Sequence, residues 1–223
     1  MNISAVIVTY RRLERLAEVL QAWLAETPDV WLCDCSYEGF MHGDLRRQGL
    51  LPIKYIRAFP DPGNKIRHAV ATMTEGNYVI KADDDLKPLP GLIADFTRQY
   101  PGNGVAGIHG RTFHGPDYYA DTKMLSCKHI QVPTRVDFLG LVTFWPREYL
   151  GMDLRGCESA IEDLYALNWY NHDVPKWLIP TDRFEQLPAS RDAERLCGNK
   201  QARAVRRTFY RQCWETFYEG DKK

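Results

Sequence analysis

A chain of 223 residues, 44% hydrophobic and 26% charged, has the composition of an ordinary globular protein and excludes disordered, collagenous and disulfide-scaffold classes. Its 29 basic residues balance 29 acidic ones, so no overall field draws the molecule onto nucleic acid or an anionic membrane, and any such partner must be met by a local patch. At this length one domain is expected, or one core with a small appended lobe.

The opening stretch MNISAVIVTYRRLERL sets its apolar run, Ile3 to Val8, ahead of its basic residues, the reverse of a signal peptide. No apolar run approaches the ~20 residues that a membrane span needs, so a soluble, cytoplasmic protein is expected, with peripheral membrane contact left open. Six cysteines (Cys33, Cys35, Cys127, Cys157, Cys197, Cys213) lack the paired C-x-x-C spacing of a zinc site and are expected as reduced thiols.

In chain order, SAVIVT (Ser4 to Thr9) is a continuous run rich in β-branched residues, which suits a strand buried on both faces. Leu13, Leu16, Val19, Leu20, Trp23 and Leu24 then recur at helical spacing. VWLCDC (Val30 to Cys35) gives a second strand and IKYIRAF (Ile53 to Phe59) a third. PDPG (Pro60 to Gly63) carries turn chemistry, and NKIRHAVATMTEG (Asn64 to Gly76) reads as a helix closed by glycine. NYVIKA is the fourth strand, which sets Asp83, Asp84 and Asp85 on its carboxyl end. This alternation indicates βαβ units and a largely parallel sheet, and open α/β sheets bind ligands beyond the carboxyl ends of their strands.

The second half is less regular. GVAGIHGRTF (Gly104 to Phe113) reads as a strand, HGPDYYADTK (His114 to Lys123) as a loop, and VDFLGLVTFWP (Val136 to Pro146) as strand interrupted by glycine. SAIEDLYALNWYNHDV (Ser159 to Val174) has helical spacing, PKWLIP (Pro175 to Pro180) is a short strand, and Thr181 to Asn199 reads as a mobile loop. A final helix is expected from Lys200 to Tyr218.

Adjacent carboxylates repel one another, so they persist where a cation or a set of backbone donors offsets the repulsion. Mg²⁺ or Mn²⁺ is the simplest partner, held by one or two carboxylates while a diphosphate and water complete the octahedron. In an extended chain Asp83 and Asp85 would point to one side and Asp84 to the other. A solvated turn or helix cap before Pro88 accounts for the same triplet equally well.

VIVTYRR near the N-terminus, DCS after the second strand, GNKIRHAVATMTEGNYVIKADDDLKPLPGLI and ESAIEDLYALNWYNHDV occur in an order that resembles the family 2 type of GT-A glycosyltransferase, from about Ile3 to about Ile179. The resemblance implies an α/β GT-A (Rossmann-like) fold, a three-layer α/β/α sandwich with a mostly parallel central sheet. It implies a glycosyltransferase domain over 1–199, with its nucleotide-binding half at about 1–103 and its acceptor half at about 104–199. It further implies that the first strand and Asp34 hold the base and ribose, that a D-x-D element at Asp83 to Asp85 holds metal and diphosphate, and that Glu162-Asp163 supplies the catalytic base.

Within that frame, Thr9, Tyr10 and Arg11 follow the buried first strand, where backbone groups can meet a nucleobase. Asp34 suits a pyrimidine N3–H or a ribose hydroxyl, although an Asx turn is the plain alternative. Lys65 and Arg67 open a helix, where the dipole favours the diphosphate; solvated helix charges explain them equally well. Asp163 is assigned the base role with Glu162 orienting it, against the alternative of an acidic pair complementing a helix dipole. Asp137 is a candidate contact to donor sugar or acceptor, and Gly140 allows a ligand to approach the backbone closely. Trp145, Trp169 and Trp177 are sugar-stacking candidates or core residues.

The late Gln/Arg-x-x-Arg-Trp motif of processive synthases is absent, so single-sugar transfer is expected, with Arg191, Lys200 or Arg203 as candidates to close over the diphosphate. The tail KQARAVRRTFYRQCWETFY, within 200–223, either lies on an anionic surface, DNA or membrane, or docks by its aromatic side with its arginines in water. The resemblance thus implies an inverting enzyme that moves one sugar from a nucleotide-sugar donor, UDP by family frequency, with Mn²⁺ or Mg²⁺. Its acceptor would be a glycan, a lipid-linked glycan or a hydroxymethylated DNA base. A nucleotidyltransferase would need a glycine-rich loop where TYRRLERL has none, and a non-catalytic sugar-nucleotide or glycan-binding module would need no Glu162-Asp163 pair.

Overall fold

A computed structural model of the chain describes residues 1–10, 15–36, 42–50, 52–58, 65–155, 157–158, 161–188 and 200–219. The four strands of the first half stand where the spacing predicts, whereas the helix expected as far as Gly76 ends at Met73. Strand β1 (Ile3–Thr9) is followed by helix α1 (Leu16–Glu26), β2 (Asp29–Asp34), α2 (His42–Arg47), β3 (Lys54–Arg57), α3 (Ile66–Met73) and β4 (Tyr78–Asp83). These four strands are parallel in the order β3-β2-β1-β4. Ala5, Val6 and Ile7 have no exposure at all, so both faces of β1 are covered, as its unbroken apolar run requires. The strand order reverses between β1 and β4, and a reversal of this kind opens a crevice at the carboxyl ends of the two strands.

After β4 the chain makes a short strand β5 (Leu86–Pro88), helix α4 (Leu92–Gln99), β6 (Val105–Phe113), β7 (Thr122–Ser126), β8 (Thr134–Val136) and β9 (Phe138–Pro146). Then follow helix α5 (Glu162–Leu164), β10 (Lys176–Leu178), β11 (Phe184–Gln186) and α6 (Lys200–Cys213). Among the described residues the main sheet has nine strands, six of which run in one direction; β7, β8 and β9 run against them. The result is a mixed α/β architecture with a mostly parallel central sheet. Phe144 of β9 stacks between Tyr78 of β4 and Phe96 of α4, with ring centroids at 4.9 and 5.5 Å, which ties the two halves into one core.

Three local expectations are corrected. The segment read as a loop over His114 to Lys123 ends inside β7, because Thr122 and Lys123 pair with Phe113 and Thr112. The segment read as a mobile loop from Thr181 contains β11, which pairs antiparallel with β5; its remainder from Ala189 to Asn199 lies outside the described residues. The strand read as interrupted by glycine over Val136 to Pro146 breaks instead at Asp137, between β8 and β9, and Gly140 lies within β9; the left-handed residue of β9 is Leu141 (φ 62°), where the β6–β9 register shifts between Gly107 and His109 and the extra β9 residue bulges. The five described cysteines are buried free thiols. No helix among the described residues is long and apolar enough to cross a membrane.

Candidate active site

The three aspartates do not share one extended strand. Asp83 ends β4, whereas Asp84 and Asp85 form the turn into β5, which belongs to a separate two-stranded sheet with β11. The alternation that would turn Asp83 and Asp85 to one side therefore does not apply. Asp84 is buried and reaches back to β1, accepting the Thr9 hydroxyl at 2.8 Å and the Tyr10 N–H at 3.4 Å. It thus fastens together the carboxyl ends of the two strands that flank the crevice. Asp85 is buried, and its carbonyl accepts the Leu187 N–H. Asp83 presents the most open carboxylate of the three, with its side chain 37% exposed.

Asp83 is also the entry to a buried charge network. Arg67, from the first turn of α3, donates to Asp83 Oδ1 at 2.5 Å and to Glu162 Oε2 at 3.2 Å, so one guanidinium spans the strand end and the start of α5. His68 follows it and sets its Nε2 2.6 Å from Glu162 Oε1. Lys81 of β4 points to the same place, with its ammonium 2.6 Å from His68 Nε2, 3.2 Å from Nδ1, 3.8 Å from Glu162 Oε1 and 4.0 Å from the centre of the Trp145 ring.

The protonation of this network follows from its burial. Burial pushes the His68 imidazole down to about 4, reinforced by the Lys81 charge and opposed by Glu162. Burial likewise takes the Lys81 ammonium down to about 7, with Glu162 opposing. Burial acts to raise the Glu162 carboxyl, but Arg67 and then His68 outweigh it and hold it well below the usual carboxylate range. Glu162 is therefore an ionised, inaccessible hub. Asp163 beside it turns outward and accepts both guanidinium N–H groups of Arg206, at 2.8 Å on Oδ1 and 3.0 Å on Oδ2, while the Leu164 N–H also donates to Oδ1.

Other expected site residues are placed differently. Asp34 is fully buried in an Asx turn: its Oδ1 accepts the Ser36 N–H and hydroxyl, and its Oδ2 the Tyr55 hydroxyl at 2.9 Å. The Thr9 carbonyl accepts the Cys35 N–H, and the Asp137 carboxylate accepts the Phe113 N–H at 2.7 Å. Lys65 is half-buried at the turn before α3. Arg11 and Arg191 lie outside the described residues. Trp145 is a core residue against His68 and Lys81, whereas Trp169 is 37% exposed between Phe209 and Phe217.

The reading of the C-terminal helix is corrected in one respect. Its aromatic side does dock: Phe209 meets Tyr165 and Trp169, and the Tyr210 hydroxyl donates to the Gly115 carbonyl. Its arginines do not all face water, since Arg206 reaches Asp163 and Tyr118, and Arg207 pairs with Asp117 at 3.0 Å. Lys200, Arg203 and Arg211 remain exposed. A separate cleft of about 710 Å³ is lined by His109, Lys128, Leu141, Asp182, Phe184 and Glu185 among others; none of the expected site residues lines it.

The described residues hold no group of three or more side chains able to bind a metal unaided. Hard oxygen donors at the mouth of the crevice nevertheless fit a shared Mg²⁺ or Mn²⁺ ion, in which Asp83 supplies a carboxylate and a ligand's oxygens supply the rest.

No family model and no curated protein matches the sequence. Solved structures do match. Residues 1–349 of S. aureus TarS, in complex with UDP-GlcNAc, align at a TM-score of 0.62 and 14% identity, covering 89% of this chain and 61% of TarS 1–349. GalNAc-T7 with UDP, GalNAc and Mn²⁺ aligns at a TM-score of 0.68 and 13% identity, covering 99% of this chain and 50% of that one. The chain therefore spans half to three-fifths of the length of these structures. Likeness at this identity establishes architecture: the chain has the GT-A fold of the glycosyltransferases.

Proposed function

We propose that this chain transfers a single sugar, with inversion, from a UDP-sugar to an acceptor hydroxyl. The observation that carries the reading is the Arg67 guanidinium, which joins the strand-end Asp83 to Glu162 and so ties the candidate diphosphate and metal residue to the neighbour of Asp163, 80 residues away in sequence. The ligands named for the two matching structures, UDP-GlcNAc in one and UDP, GalNAc and Mn²⁺ in the other, support a nucleotide-sugar donor and a divalent cation.

In this reading Asp83 would hold Mn²⁺ or Mg²⁺ together with the donor diphosphate, and the ion would neutralise charge on the leaving group. Arg67, with Lys65 before it, faces the same phosphates. Asp163 takes the proton of the acceptor hydroxyl while that oxygen forms its bond to the anomeric carbon; the bond to the diphosphate breaks, and its electron pair leaves with UDP. Glu162 orients Asp163 through the adjoining backbone. The acceptor hydroxyl belongs to a glycan, a lipid-linked glycan or a hydroxymethylated DNA base. Asp163→Asn tests the assignment. UDP release from the donor should fall at least ~100-fold while donor-induced thermal stabilisation persists; unchanged turnover would remove Asp163 from the chemistry.

A further inference from the structure

The carboxylate of Asp163 is already held from one side. An ionised carboxylate offers about four lone-pair directions, two on each oxygen. Oδ1 accepts from the Leu164 N–H and from Arg206 Nη1, both at 2.8 Å, which fills it. Oδ2 accepts only Arg206 Nη2, at 3.0 Å, among the described residues. Arg206 is in turn fixed by the rest of its surroundings: Nη2 also donates to the Tyr118 hydroxyl at 3.1 Å, and the guanidinium lies 5.1 Å from the centre of the Tyr118 ring. Its side chain is 14% exposed against 30% for Asp163, so the fork sits on the protein side and the carboxylate on the open side. A planar, doubly bonded fork fixes both the position and the rotation of a carboxylate, which a single ammonium cannot do.

We propose that Arg206 is a positioning residue for the transfer step: it orients Asp163 so that Oδ2 takes the proton of the acceptor hydroxyl. The proposal rests on the reading of Asp163 as the base. It makes α6 part of the active site, contributed from 43 residues beyond the carboxylate it serves. The bond changes are those already given, with the new O–H bond assigned to Oδ2.

Arg206→Ala and Arg206→Gln are compared with the unaltered chain, with the UDP-sugar that gives the largest metal-dependent thermal shift as the probe and UDP release as the readout. Misplacing the base should lower kcat roughly 10- to 100-fold and leave the donor KM within about two-fold, since Arg206 acts through the base and not on the donor. Guanidinium at sub-denaturing concentration should restore part of the Ala variant's kcat by occupying the vacated fork position. Wild-type turnover in both variants would overturn the proposal. So would a loss that guanidinium does not restore, which would assign Arg206 to docking α6. If the Ala variant no longer melts cooperatively, the Gln variant carries the same kcat and KM comparison. Asp163→Asn separates the two claims: if it turns over normally the base reading itself fails, whereas an inactive Asp163→Asn beside fully active Arg206 variants removes Arg206 alone.

Discussion

Glu162 keeps its charge in a buried setting because Arg67, His68 and Lys81 surround it, and this arrangement makes stability depend on pH through His68. In the unfolded chain that imidazole binds a proton below its ordinary value of 6.5, whereas in the fold it resists protonation until about 4. Between these values the unfolded state holds more protons, so stability rises with pH in that window and is lost on acidification through it. His68→Gln should therefore lose less stability than the unaltered chain between pH 7 and pH 5 in urea unfolding; equal losses would contradict the network as described. Some of this was legible beforehand. Lys81 stands in a strand that is otherwise apolar, and a lysine facing a core demands a counter-charge, which points to a buried acid. Nothing in the sequence selects Arg206 from the five basic residues between Lys200 and Arg211, because the choice depends on how α6 rotates as its aromatic residues dock.

At the scale of elements, the strand-end position of the aspartates was readable from the apolar run before them, but the turn was not. It arises because Leu86 to Pro88 leave the main sheet to pair with Phe184 to Gln186, a partner nearly 100 residues distant. Short, distant pairings of this kind carry little local signal, which is also why β11 reads as part of a loop. The helix expected over Ser159 to Val174 is described from Ile161, and it widens into a π-helix over Tyr165–Tyr170. The wider turn buries Asn168, which donates to the Asp137 carbonyl and the Tyr218 hydroxyl and so joins the β8–β9 connection to the end of the C-terminal helix. Gly104 shows how tightly the second half is set. It has φ +84°, and a Cβ there would lie 2.0 Å from the Pro175 carbonyl oxygen, which accepts the Val105 N–H where β6 meets β10. Gly104→Ala should cost at least ~2 kcal/mol, lowering the melting temperature by ~4 °C or more. A change within one degree would show that this junction gives way easily.

For the whole molecule, the alternation of strand and helix up to Asp83 announced the parallel order β3-β2-β1-β4, since βαβ units admit few windings. The antiparallel β9 wedged between β4 and β6 could not be read the same way, because its register is set by a bulge and by contacts across the sheet. The crevice that the first half creates gains its chemistry from the second: Glu162 comes from α5, and its outward neighbour is held by α6. Such a site should bind a nucleotide sugar in which protein and diphosphate share one ion, and a ligand that binds only the native state raises its melting temperature. The most direct measurement is therefore thermal melting of the full chain with a panel of UDP-sugars, each with and without Mn²⁺. At least one donor should raise the melting temperature by several degrees only when Mn²⁺ is present, and Asp83→Ala should abolish the metal-dependent part. A chain that no UDP-sugar stabilises, with or without Mn²⁺, would contradict this reading.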